Sequence, residues 1–452
     1  MDRRTFTRAL TAGILADLAA PGASSAFVMP NLRRRTPASL ERAVAALPPA
    51  IVTAIKLYDP PNPSYERRVN ESNLVILVET DAGLTGIGQG GSPDLVAGLA
   101  RSVIGKNAFE TERIWQYMYM DAFYSPGREK IHAIGGIDTA LWDIKGKALN
   151  VPLYELFGGK VRDHIELYAT SGLPAGLLPP AEAARLSLSE RAAAAMEAGY
   201  RVYRIDAEGT GPYGPSGIIF GDPIENRVWD SRARIPAIAR AAKEIREGIG
   251  EQGNWMIDLH QKFDFQDSLE CCRAIEEYRP YLVEDPLREE QFLSQIPKLR
   301  MMTTVPLAPG EQWGQRWTFN ELVENRDIDW IRATMPTMGG LTEMQKIMAI
   351  CETHTVGIAP HFTGPVATAA LVHALITYPG LALMEYNYGA NPPDYVPEFV
   401  DFRDGKLWAN DRPGLGLSLD MSRLTPVREF TEGTPGSAGP TYRRPDGSPT
   451  HW

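Results

Sequence analysis

Between residues 164 and 387 the chain repeats one pattern eight times, a short apolar run followed by a longer stretch with helical spacing. The runs read HIELYAT, YRVYRID, WMIDLH, YLVEDP, VPLAPGE, DWIRAT, VGIAPH and LALMEYN. Eight strands over about 220 residues leave roughly 30 for each strand, helix and return, which is the rhythm of a (β/α)8 barrel. A doubly wound sheet fits less well. The Gly-rich GIGQGG lacks Gly-x-Gly-x-x-Gly spacing, and no Gly-Lys-Ser or Gly-Lys-Thr occurs. The predicted class is α/β, a TIM-type barrel over residues 161–420.

Ahead of the barrel the pattern changes. From Ala50 to about Gly91, strand-like runs such as NLVILVET flank the turn DAGLTG, which predicts an antiparallel meander. In AIGGIDTALWDIKGKALNVPLYELFGG, Ile134, Ile137, Leu141 and Ile144 fall three or four apart, predicting a helix, and Gly158-Gly159 supplies a stop. Residues 50–160 thus read as a small α+β domain. The first 30 residues hold Arg3-Arg4, Phe6 and a weakly apolar stretch from Ala9 to Ala20 interrupted by Asp17, resembling a twin-arginine export signal. If that signal functions the protein is periplasmic, and otherwise cytoplasmic. No other stretch reaches the roughly 20 apolar residues that cross a bilayer, so no membrane partner is expected. Residues 430–452, rich in Pro, Gly and Ser, read as a flexible tail.

Composition narrows the chemistry. Hydrophobic residues at 44% of a 452-residue chain allow a large core. A net charge of −10, without a basic run interleaved with aromatics, argues against a nucleic-acid partner. Cys271, Cys272 and Cys351 make neither a disulfide framework nor a zinc set.

Three acidic residues stand out by position. Asp258 ends WMID, Glu284 ends YLVE and Glu311 ends VPLAPGE, at gaps of 26 (284 − 258) and 27 (311 − 284) residues, one strand-helix-return unit each. Consecutive barrel strands would deliver one carboxylate apiece to the C-terminal rim, where such folds keep their chemistry. Converging carboxylates repel one another, and a hard divalent cation such as Mg²⁺ relieves that repulsion. His260 follows Asp258 by two residues, which puts both side chains on one face if the strand continues.

These motifs together resemble the enolase superfamily, in its mandelate racemase and muconate lactonizing enzyme branch, from about residue 50 to 420. GGIDTALWDIKGKALNVPLYELFGG is similar to the branch signature that closes the capping domain, and DLH, VEDP and PGE to its three metal strands. The resemblance implies an N-terminal α+β capping domain over a modified (β/α)8 barrel, with Mg²⁺ held by Asp258, Glu284 and Glu311. It also implies assembly into a homo-oligomer, and a first step in which a proton beside a substrate carboxylate is removed. That proton is very weakly acidic, so a side chain can take it only where the second negative charge is stabilised as it develops.

Asp-x-His at the third strand further resembles the acid sugar dehydratases of the branch, galactonate and mannonate dehydratases among them. The small-molecule substrate is then a sugar acid, the product a 2-keto-3-deoxy acid, and His260 the general acid that protonates the departing 3-hydroxyl. An imidazole, with an ordinary pKa of about 6.5, suits that task near neutral pH. The base stays open between two readings. His361 in VGIAPHFTGP matches the galactonate-type histidine, although Thr334 stands where its assisting Asp would fall. A mannonate-type base would be Tyr213 in EGTGPYGPSG, assisted by Arg204. Glu385, Arg332 and Tyr124 are candidates to contact substrate. The second strand lacks the paired lysines of the muconate lactonizing and dipeptide epimerase groups and shows Arg204 and Asp206 instead. The alternatives are a racemase or epimerase of the same superfamily, and a sugar-acid-binding or sensing protein without turnover.

Overall fold

Residues that are apolar on both faces of one strand tie two cores together. The computed structural model describes residues 47–64, 72–121, 127–168, 173–174, 176–207, 229–288, 293–433 and 442–450. The chain divides into a unit of residues 1–48 and one of residues 49–452, and every element named below belongs to the second. The proposed export signal lies outside the described residues.

The antiparallel meander is β1 (Val52–Asp59), β2 (Val75–Thr80) and β3 (Thr85–Gln89). Alternation along β2 sends Val75 and Leu77 into the barrel-side core, and Ile76 and Val78 into a second core with the predicted helix residues Ile134, Ile137, Leu141 and Ile144. The helices here are α1 (Pro93–Leu99), α2 (Thr111–Tyr119) and α3 (Arg128–Leu149). The backbone of α3 lies directly on β3, because a Cβ at Gly86 would sit 2.0 Å from the Ala140 carbonyl oxygen and one at Gly88 1.9 Å from that of Gly136.

All eight apolar runs become barrel strands: β4 (Ile165–Tyr168), β5 (Tyr203–Asp206), β6 (Trp255–Asp258), β7 (Leu282–Glu284), β8 (Leu307–Ala308), β9 (Trp330–Ile331), β10 (Gly357–Ile358) and β11 (Met384–Glu385). Parallel pairing joins β5 to β8 in sequence, β9 to β10, and β11 to β4. Bridges Tyr168↔Val202 and Ile358↔Ala382, with Asp329 N–H donating to the Leu307 carbonyl at 3.0 Å, complete the ring. Between strands run α4 (Leu188–Glu197), α5 (Ser231–Ile249), α6 (Phe265–Ile275), α7 (Ile296–Met302), α8 (Arg316–Glu324), α9 (Leu341–His354) and α10 (Pro365–Leu375). Ser187, Asp230 and Asp264 start α4, α5 and α6 by accepting a backbone N–H with the side chain. No described helix is long and apolar enough to cross a membrane.

One residue per strand fills the barrel interior: Tyr168, Val202, Met256, Leu282, Ala308, Trp330, Ala359 and Leu383 pack as a cluster of their own. Two residues further along, the chain places Arg204, Asp258, Glu284, Arg332, His361 and Glu385. An apolar plug therefore carries a charged layer at its C-terminal end, the end where barrels of this kind hold their sites.

Two elements depart from the expected organisation. After the hairpin β12 (Asp401–Arg403) and β13 (Lys406–Trp408), β14 (Thr425–Phe430) returns to pair antiparallel with β1 at the edge of the N-terminal sheet. Its first five residues are exposed, so it carries no apolar alternation by which a sequence could reveal it. In the stretch expected to be a flexible tail, β15 (Tyr442–Arg443) pairs with β16 (Pro449–Thr450). Asp446 accepts Ser448 N–H at 2.9 Å in the turn between them, a local bond that a Pro/Gly/Ser composition does not exclude.

Candidate active site

The charged layer gathers five carboxylates around two guanidiniums. Asp258 and Glu284 end β6 and β7 in register and are wholly buried. Glu311 comes three residues past β8, after Gly310, whose φ of +118° suits a residue without Cβ. Oxygens of Asp258, Glu284 and Glu311 all lie within 4.8 Å of one another.

Arg204 of β5 pairs through Nη2 with Asp258 Oδ2, and the same nitrogen lies 3.2 Å from Asp206 Oδ1. Its Nε is 3.2 Å from Glu284 Oε2 and its Nη1 3.4 Å from Glu385 Oε1. Arg332, just past β9, sets Nη2 2.6 Å from Glu284 Oε1 and 3.1 Å from Glu385 Oε2. Its Nη1 donates to the Ala359 carbonyl at 2.5 Å and to the Tyr168 hydroxyl. Asp206, Asp258, Glu284, Glu311 and Glu385 outnumber the guanidiniums in the layer, five carboxylates to two arginines.

The consequences differ by position. Burial pushes the Glu284 carboxyl well above the usual carboxylate range, Arg204 and Arg332 opposing this and Asp258 and Glu385 adding to it. Burial also raises Glu311, against the attraction of His361. Burial alone would raise Asp258 too, but His260 and Arg204 outweigh it and hold that carboxyl low. Both Glu284 oxygens are buried without an aligned hydrogen bond among the described residues. Three converging hard oxygen donors, one of them ion-paired but without an aligned hydrogen bond, fit a hard divalent cation such as Mg²⁺.

The two histidines reach the trio by different routes. The expectation that Asp258 and His260 share a strand face is corrected: β6 stops at Asp258, and His260 (φ +49°) and Gln261 (φ +57°) form a left-handed turn. The turn folds the imidazole back, with Nε2 2.7 Å from Asp258 Oδ2 and His260 N–H donating to Oδ1 at 2.6 Å. His361, past β10, puts Nε2 3.5 Å from Glu311 Oε1. The Thr334 hydroxyl points to the Arg332 carbonyl at 3.3 Å, so the sixth strand offers His361 no carboxylate from that position.

Arg332 and Glu385, the candidates to contact substrate, are 0% and 3% exposed and belong to the same buried network as Asp258 and Glu284. The reason is their position in the interior register, one step above the apolar plug. Arg204, expected to assist Tyr213, is engaged with the carboxylates. Tyr213 and Tyr124 lie outside the described residues. Sequence reasoning missed Tyr168, whose hydroxyl donates to Glu385 Oε2 at 3.2 Å; ending the first strand directly opposite Glu385 was its available signal. From the N-terminal domain, the Tyr119 hydroxyl donates to Gln315 Oε1 at 3.2 Å and Arg128 Nη1 to Gln312 Oε1 at 2.6 Å, both on the segment after Glu311.

Residues 51–158 match the family described as mandelate racemase / muconate lactonizing enzyme, N-terminal domain, and residues 187–423 that described as enolase C-terminal domain-like. The chain is 34% identical over 399 residues to D-galactonate dehydratase of Xanthomonas oryzae pv. oryzae, covering 84% of this chain and 96% of the relative. It is 31% identical over 407 residues to D-galactonate dehydratase of Variovorax paradoxus, covering 85% and 98%. The crystal structure of a mandelate racemase/muconate lactonizing enzyme from Jannaschia sp. CCS1 matches with a TM-score of 0.71 at 26% identity, covering 83% of this chain and 96% of that one.

Proposed function

Because the chain belongs to the mandelate racemase/muconate lactonizing enzyme branch of the enolase superfamily, we propose that it dehydrates a sugar acid, an aldonate or aldarate, to a 2-keto-3-deoxy acid. The observation that carries this reading is the pairing of one imidazole with Asp258 and another with Glu311, at 2.7 and 3.5 Å, beside a buried carboxylate trio. Elimination of water needs both a base and a donor, because hydroxide is a poor leaving group. The names carried by relatives that cover 84% and 85% of this chain support dehydration over racemisation.

Asp258, Glu284 and Glu311 would hold Mg²⁺, which when bound supplies Lewis acidity at the substrate carboxylate. His361 takes the proton alpha to that carboxylate, and Glu311 beside it stabilises the imidazolium that results. His260, tied to Asp258, delivers a proton to the 3-hydroxyl, which leaves as water. Arg204, Arg332 and Glu385 hold the carboxylates in place. A Tyr213 base remains the rival for the first step.

Incubation with a panel of aldonic and aldaric acids, read as keto-acid formed with Mg²⁺ and with chelator, tests the proposal. Chelator-sensitive product from at least one acid is the expected result. Mg²⁺-dependent binding of a sugar acid without any product would favour a binding or sensing role instead.

A further inference from the structure

Three neighbouring loops carry the candidate ligands and His260, and one side chain that is neither ligand nor imidazole touches two of them while opening the third. Asp285 directly follows Glu284, is 1% exposed and has a φ of +40°. Its Oδ1 accepts Gly310 N–H at 3.0 Å and, more weakly, Glu311 N–H at 3.5 Å. Its Oδ2 accepts from Gln261 Nε2 at 3.0 Å, and its carbonyl accepts Gln261 N–H at 3.0 Å. Its own N–H donates to the Ala308 carbonyl at 3.2 Å.

The need for such a link follows from where the site residues sit. Glu311 and His260 both lie past the ends of their strands, so sheet pairing does not set their positions. Gly310 at φ +118° and the left-handed pair His260-Gln261 are conformations that a free loop would not hold on its own. A carboxylate accepting from both sides fixes them relative to Glu284, which the sheet holds in register with Asp258.

We infer that Asp285 is a positioning residue for the metal site: it sets the Glu311 and His260 loops so that the carboxylate trio converges, without itself acting as a ligand. This rests on Asp258, Glu284 and Glu311 being the Mg²⁺ ligands. Groups that orient ligands in this manner typically change metal affinity by about 10- to 100-fold when removed.

The test is Mg²⁺ titration calorimetry on the chelator-stripped full-length protein, with melting of the stripped proteins alongside. Asp285→Asn loses the charge but keeps an acceptor for Gly310 N–H, tolerates the left-handed backbone, and can bond a flipped Gln261 amide. It should bind Mg²⁺ within a few-fold of native. Asp285→Ala loses charge and bonds together and should bind about 10- to 100-fold more weakly. If Asn weakens binding as much as Ala, charge rather than position is responsible and the inference is wrong; native affinity in Ala overturns it as well. Gln261→Ala, which removes the side-chain bond to the His260 loop and leaves the backbone bond, should lower kcat for dehydration while Mg²⁺ affinity stays native. Should Asp285→Ala not fold, this variant decides the hold on the His260 loop, and native turnover in it counts against the inference. Glu284→Gln, titrated in parallel, separates the two claims. Native-like binding there removes the ligand reading itself, whereas loss there together with native-like Asp285→Ala removes only the role of Asp285.

Discussion

Replacing Glu284 with Gln is expected to remove Mg²⁺ binding while leaving the metal-free fold intact. Two effects compete. Glutamine keeps the shape of the side chain and discards a charge that burial disfavours, since the Glu284 carboxyl lies well above its usual range. A carboxyl raised in this way costs the folded state stability at every pH above its unfolded value of about 4.3, and a neutral amide removes that cost. Against this, depriving a buried cation of its only partner costs about 3–5 kcal/mol. Neither arginine is orphaned, because Arg204 keeps Asp258 and Asp206, and Arg332 keeps Glu385 at 3.1 Å. Relief of repulsion therefore offsets the lost pairing, and unfolding in chelator should change by no more than about 1 kcal/mol. At a Mg²⁺ concentration 100 times Kd the native protein gains about 2.7 kcal/mol, and the variant should gain almost nothing. Turnover should fall by on the order of 10³, about 4 kcal/mol in the barrier. Urea unfolding with Mg²⁺ and with chelator reads both quantities. An undiminished Mg²⁺ shift in the variant, or a loss of several kcal/mol in chelator, would refute the reasoning.

The two histidines should fail at different bonds. His260→Asn should still exchange the substrate alpha hydrogen with deuterium from solvent while keto-acid formation drops by about 10²–10⁴-fold, and His361→Asn should show neither exchange nor product. Native exchange in His361→Asn together with its loss in Tyr213→Phe would move the base to Tyr213. Buried Asp138 accepts from Thr342 N–H and hydroxyl at the start of α9, and burial pushes its carboxyl up to about 7. Because its folded pKa is the higher one, native protein should lose stability relative to Asp138→Asn as pH rises from about 4 to about 7, by up to roughly 4 kcal/mol, and urea midpoints showing a flat difference would contradict this. Gly88→Ala drives a Cβ to 1.9 Å from the Gly136 carbonyl oxygen and should cost about 1–3 kcal/mol or more in thermal or urea unfolding, whereas an unchanged stability would mean that α3 can lift from β3 without penalty.

Much of the barrel was legible because its signals are local. Each apolar run is short, and alternation with period two settles which of its residues face inward once the strand exists. Met256 and Asp258, and Leu282 and Glu284, are separated by one step of that alternation, so the apolar plug implies the charged layer above it. The same reasoning failed at His260, where the strand ended two residues too early for alternation to apply, and the imidazole reached Asp258 through a left-handed turn.

Amino-acid order alone thus determined where strands begin and which carboxylates reach the barrel rim, since both follow from neighbours a few residues away. Only the closed tertiary structure decided what those carboxylates meet. Arg204 and Arg332 lie 54 (258 − 204) and 48 (332 − 284) residues from Asp258 and Glu284, and nothing near them in sequence distinguishes a buried arginine from a solvated one. Pairing of β14 with β1 and the hold of Asp285 on Gly310 likewise join segments that lack a shared local pattern. Such contacts form because folding excludes water, and an unpaired charge or N–H left inside must then find whichever partner the closed barrel brings within reach.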